Sequence, residues 1–125
     1  MSFVDEFDTC MHASFLPTPA EVVDTAGEVV EFLEHIHTAA EAAGGMHITL
    51  GALEASGFTG LGALVADAAA VTVAAYAGAV AGCMIGAGVT SVADLLAQND
   101  VSPEVRAEII TAANNAGVPT DEATA

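Results

Sequence analysis

The chain has 125 residues, and its 17 acidic residues face a single base, which gives a formal net charge of −16. This balance excludes nucleic-acid binding through phosphate neutralisation and disfavours attraction to anionic lipid surfaces. Hydrophobic residues make up 54% of the chain and aromatic residues only 5%, so small side chains must fill most of the interior of what its length predicts to be one domain.

The acidic residues divide the predicted domain, 1–125, into three parts. Residues 1–45 hold nine acids and are predicted to form acidic amphipathic helices, whereas residues 46–97 hold three and form an apolar Ala/Gly-rich segment. Residues 98–125 hold the other five and are predicted to form a short acidic helix and a tail. We therefore predict an all-α fold, with short amphipathic helices around one long apolar helix or an apolar helical hairpin.

Two amphipathic helices are predicted in the first part. Pro17 separates them, Thr18 is the predicted N-cap of the second, and Gly44 with Gly45 ends it. The Gly44-Gly45 pair also resembles the processing site of double-glycine bacteriocin precursors, although a helix C-cap is the favoured interpretation. The apolar residues of the first helix recur at four-residue spacing: Phe3, Phe7, Met11 and Phe15.

The N-terminus and the two cysteines bear on the cellular location. No basic segment followed by an apolar run opens the sequence, so we predict synthesis in the cytoplasm without a secretory signal. The active form is then expected at a membrane, or exported by a signal-independent route. Cys10 and Cys83 are far apart in sequence and form no CxxC motif, so their spacing predicts neither a disulfide framework nor a zinc site.

The long apolar helix is predicted over residues 68–90, which contain no charged side chain. As a helix these residues would extend about 34 Å, enough for a bilayer core of roughly 30 Å. Asp67 would mark the polar end of such a span or a position in a lumen. A helix that is apolar all round is also typical of the buried centre of a soluble bundle, and this alternative stays open.

A stripe of small residues runs through this segment at four-residue spacing: Gly62, Ala66, Ala70, Ala74, Gly78, Gly82, Gly86 and Thr90. It resembles the glycine zippers of transmembrane and pore-forming helical proteins, the GxxxGxxxG pattern, through Gly78, Gly82 and Gly86. The resemblance implies that the stripe packs helices of identical chains together, and hence a homo-oligomer. Small residues at such spacing allow two helix backbones to approach closely.

The remaining helices and motifs of the sequence do not indicate a catalytic or cofactor site. Ser91 and Ser102 are expected to cap two short helices, the second ending near Asn115. Glu34 and His37 form one Glu-x-x-His pair, but di-metal bundles need two, so a salt-bridged helix face is favoured over a metal site. No nucleophile elbow or phosphate-binding loop is present, so neither an enzyme nor a cofactor is predicted.

Three functions follow from these patterns. The favoured one is a membrane-inserting, self-associating helical protein, such as a small pore-forming toxin or effector, with the lipid membrane as its partner. A chaperone or an immunity protein is a candidate second partner in that case. The alternative is a soluble all-α scaffold or protein-interaction module that oligomerises through its Ala/Gly-rich helix. The third is a small helical enzyme or metal carrier that uses the Glu34/His37 region.

Overall fold

The computed structural model describes residues 3–13, 16, 25–58, 61, 68–89 and 91–115. Within these ranges every named element is a helix or a helical turn, and an isolated antiparallel bridge joins Thr49 to Thr72. This confirms the all-α prediction. The described helices are α1 (Phe3–Ala13), α2 (Ala26–Ala43), α3 (Leu50–Ala55), a 3-10 turn (Ala68–Ala70), α4 (Val73–Gly86), α5 (Val92–Gln98) and α6 (Pro103–Asn115).

Helix α1 has the amphipathic character that the sequence predicts. Phe7 and Met11 are fully buried, and the ring of Phe3 stacks on that of Phe7 with centroids 5.7 Å apart. The buried face packs against α4. Phe15 and Pro17, the predicted end of this helix, lie outside the described residues.

Helix α2 starts later than predicted. Thr18 lies outside the described residues, but Thr25 has an extended backbone, so no helix runs through it. Thr25 is itself the N-cap, because its hydroxyl accepts from the backbone N–H of Glu28 while the Glu28 carboxylate accepts from the N–H of Thr25. The predicted end is confirmed, since Gly44 and Gly45 follow the helix with φ values of 136° and 118°.

Helix α4 begins at Val73, five residues after the predicted start of the long helix. The N-terminal N–H groups of a helix lack partners within the helix, and here the chain at residues 46–49 and the N-cap supply acceptors. Val73 donates to the Ile48 carbonyl at 2.8 Å, Ala74 to the Met46 carbonyl at 2.9 Å, and Ala75 to Thr72 Oγ1 at 3.1 Å.

Helix α4 is too short for the membrane function. Its 14 residues extend about 21 Å, less than a bilayer core of roughly 30 Å. Within the described ranges, no helix reaches the combination of length and apolarity that crossing a bilayer requires. The prediction of a membrane-inserting protein is therefore wrong, and the single long apolar helix is not confirmed, because residues 68–70 form a separate 3-10 turn.

Helix α4 lies at the centre of the helical bundle instead. It packs against α1, α2, α5 and α6 and makes its most extensive contact with α6. The rings of Phe32 and Tyr76 pack edge to face, with centroids 6.2 Å apart. Burial on nearly every side explains why the helix contains no charge. Its buried residues are Val73, Tyr76, Ala77, Gly78, Val80, Ala81, Cys83 and Met84.

A disulfide joins α1 to α4, contrary to the expectation from cysteine spacing. Cys10 and Cys83 are bonded, with Cα atoms 5.5 Å apart and a sequence separation of 73. The expectation failed because spacing along the chain does not report which helix faces meet after folding. Both cysteines lie on faces that α1 and α4 turn toward each other, beside the buried Met11 and Met84.

The remaining helices have the predicted caps. The Ser91 hydroxyl accepts from the Asp94 backbone N–H at 3.1 Å at the start of α5. Helix α6 begins at Pro103, as predicted, and spans Pro103–Asn115, with the residues that follow outside the described chain. Residues 50–55 form α3, with Thr49 as its N-cap.

Candidate functional site

A polar cluster lies where α2 meets α6. Its centre is His37, whose residue surface is only 6% exposed and which is the single buried polar or charged residue among those the structure describes. Nε2 of His37 is in close hydrogen-bond contact with Oε2 of Glu108 and lies 3.8 Å from Oε1 of Glu41. An ionised carboxylate can only accept, so Nε2 of His37 must be the donor.

The helices position these side chains in different ways. His37 and Glu41 are one turn apart on α2 and therefore share a face. Glu108 comes from α6, 71 residues further along the chain than His37. The two carboxylate side chains are about half exposed, at 48% for Glu41 and 46% for Glu108. A buried ring is thus held between two carboxylates that solvent and small ions can reach.

The cluster differs from the His/Glu pair that the sequence singled out. Glu34 takes no part in it, and the ring of the exposed His35 packs beside Phe58 with centroids 5.1 Å apart. The four-residue spacing of His37 and Glu41 was readable from the sequence. Glu108 was not, because only the folded chain brings α6 beside α2.

A groove lies beside the cluster, between α6, the start of α4 and the loop that follows α2. Its volume is about 280 Å³. Small and apolar side chains form most of its wall, and Glu108 belongs both to this groove and to the cluster. The lining residues are Met46, Ala74, Ala107, Glu108, Thr111, Ala112 and Asn115.

The predicted stripe of small residues is only partly within the described chain. Gly62, Ala66, Asp67 and Thr90 lie outside the described residues, so the predicted role of Asp67 stays a prediction. Ala70 belongs to the 3-10 turn rather than to α4.

The stripe members on α4 have different surroundings. Ala74 lines the groove, Gly78 is buried in the core, Gly82 is partly buried and Gly86 is exposed. A Cβ atom at Gly86 would meet nothing within 4 Å. Each four-residue step turns about 40° around a helix with 3.6 residues per turn, so these positions wind away from one another. Their role in oligomerisation stays a prediction.

Comparison with known proteins assigns no family. The chain matches no protein-family model, and neither a curated protein nor a solved structure shows significant similarity to it. Inference about function therefore rests on the polar cluster and on the groove beside it.

Proposed function

We propose that the chain is a non-enzymatic, all-α protein-interaction module that self-associates through the groove between α4 and α6. The observation that supports this most is the wall of the groove. It consists mainly of small and apolar side chains in a protein whose formal net charge is −16.

The shape of the wall favours a helix as the occupant. Ala74, Ala107 and Ala112 leave the helix backbones of α4 and α6 accessible, so another helix can approach closely. Met46 adds a flexible apolar side chain, which adapts to irregular surfaces. Ala74 also belongs to the small-residue stripe from which homo-oligomerisation was predicted.

Electrostatics favours the groove over other surfaces as the contact between two copies. Each chain has a net charge of −16, and like-charged surfaces repel. Among the groove residues only Glu108 bears a charge. Two copies that meet there bring fewer like charges together than copies that meet through the acidic faces of α1 or α2. Added salt should strengthen self-association, because it screens the remaining repulsion.

Sedimentation velocity across a range of protein concentrations at low and high salt tests this function. We expect a concentration-dependent oligomer that Ala107→Gln weakens at least about tenfold, which corresponds to about 1.4 kcal/mol, because the larger side chain keeps a partner helix from approaching the wall closely. The matched control is Ala97→Gln, the same change at an exposed position of α5 outside the groove. Monomers at every concentration and salt level, or equal weakening by both variants, would contradict the proposal.

We also propose that the disulfide-bonded form acts in an oxidising environment. Disulfides persist in such compartments and are rare where thiols are kept reduced, and Cys10 and Cys83 are bonded to each other. Alkylation of free thiols in intact cells, read as a mass shift, tests this. Two alkylated cysteines in the native protein would contradict it, and none would support it.

A further inference from the structure

We propose that His37, Glu41 and Glu108 form a binding site for a divalent transition-metal ion of the zinc class. The proposal goes beyond self-association and does not depend on it, because all three residues belong to one chain. It stands on the types of donor atom, on their distances and on the burial of His37.

The donor atoms suit such an ion. An imidazole nitrogen and two carboxylate oxygens lie within 4.8 Å of one another. Imidazole favours zinc and neighbouring transition metals, whereas magnesium and calcium prefer sites made only of oxygen. The imidazole of His37 therefore distinguishes this cluster from the many carboxylates elsewhere on the surface.

The distances require only small movements. Zinc binds nitrogen and oxygen at about 2.0 to 2.2 Å, which places tetrahedral ligand atoms about 3.3 Å apart. Nε2 of His37 already lies 3.8 Å from Oε1 of Glu41. The contact between His37 and Glu108 must open to admit the ion, and the half-exposed Glu108 side chain can rotate to do so.

Burial holds the nitrogen donor in place. Surrounding core residues fix the ring of His37, whose side chain is 8% exposed. Binding uses the lone pair of Nε2, so in the bound state the neutral ring carries its one proton on Nδ1, and an imidazolium would release its second proton to solvent. The two carboxylates balance the charge of a divalent ion, so the bound cluster is neutral when the imidazole is uncharged.

The site would keep an exchangeable position. Three protein ligands leave a fourth tetrahedral position for water or another ligand. Because Glu108 also lines the groove, the ion would lie at the groove wall, within reach of a molecule bound there.

Zinc titration of the metal-free protein by calorimetry, with excess Mg²⁺ present, tests the proposal. We expect one Zn²⁺ per chain. Glu41→Gln or Glu108→Gln should weaken zinc binding more than about tenfold, because loss even of a residue that only supports a metal ligand weakens binding by about that factor. The matched controls are Glu31→Gln on α2 and Glu104→Gln on α6, which change the net charge equally at exposed positions outside the cluster.

The controls also separate this site from general attraction of cations to an acidic surface. Equal loss of affinity in the cluster variants and their controls, or displacement of Zn²⁺ by Mg²⁺, would overturn the proposal. Zinc-edge X-ray absorption should detect one imidazole in the first shell, and a shell made only of oxygen would also overturn it. These measurements use the wild-type protein and variants of the half-exposed Glu41 and Glu108. They therefore do not depend on whether a variant of the buried His37 folds.

Discussion

The contact between α1 and α4 and the contact between α2 and α6 are built in opposite ways. In the first, Phe7 and Met11 are fully buried, and the Cys10–Cys83 disulfide closes the contact covalently. In the second, a buried histidine meets two half-exposed carboxylates beside an open groove. The apolar, covalently closed contact and the polar, solvent-accessible one thus lie in separate parts of this small bundle.

The contributions of the two contacts to the free energy of unfolding support this division. Complete burial of a large apolar side chain contributes about 1.5 to 3 kcal/mol, so Phe7 and Met11 together outweigh one hydrogen bond to a charged group, which contributes about 1.5 to 3 kcal/mol. The hydrogen bond of the α2–α6 cluster is therefore the smaller of the two contributions to stability. The two carboxylate side chains of this cluster are about half exposed, so solvent can reach them.

Removal of the disulfide should have the largest effect. We expect the double variant Cys10→Ala/Cys83→Ala to lower the free energy of unfolding by about 2 to 5 kcal/mol, because the bond no longer restricts the unfolded chain. Chemical denaturation with and without a thiol reductant measures this. The reductant should destabilise the wild type and leave the double variant unchanged. Equal stability of the oxidised and reduced wild-type protein would show that the disulfide does not stabilise the contact between α1 and α4.

Alkaline pH should weaken the core around α4 through Tyr76. Burial raises the pKa of the Tyr76 hydroxyl above its ordinary value of 10.0. The unfolded chain therefore loses this proton first, and stability that is complete below about pH 10 falls as the pH rises further.

The amino-acid composition allows this pH dependence to be assigned to Tyr76. The chain has one tyrosine and no lysine, and both cysteines are bonded to each other. Denaturation midpoints at increasing pH should fall steeply for wild type above about pH 10 and much less for Tyr76→Phe. Parallel pH profiles for the two proteins would show that the phenol is not the cause.

Glu108→Gln should have the smallest effect on stability. Glutamine keeps a carbonyl oxygen for the His37 N–H, and the side chain is half exposed, so we expect a loss below about 1 kcal/mol. Glu104→Gln, one turn away on α6, is the control. A loss above about 2 kcal/mol from Glu108→Gln alone would place the α2–α6 cluster among the main stabilising contacts, contrary to the comparison.

Local features were predictable from the sequence, and non-local ones were not. The Ser91 cap and the Gly44-Gly45 stop depend on neighbouring residues, so the sequence indicates them directly. The start of α4 depends on acceptors at Ile48 and Met46, which lie in another part of the chain. When the start of α4 is unknown, a run of uncharged residues fits a membrane span and a buried helix equally well.

The candidate site and the disulfide show the same limit. His37 and Glu41 are one turn apart, but Glu108 joins them only through the packing of α6. Cys10 and Cys83 likewise meet because amphipathic α1 covers α4. Each pairing is decided by which helix faces meet, and a single sequence does not contain that information in its spacing.

Native-state hydrogen exchange tests the division between the two contacts most directly. Amides of residues 80–84, in the centre of α4, should exchange only through global unfolding, with the slowest rates in the protein. Amides of residues 107–112 in α6 should exchange faster in dilute solution and gain protection as the protein is concentrated and the groove is covered. Faster exchange in the centre of α4 than in α6, or concentration-dependent protection confined to α1, would contradict the account.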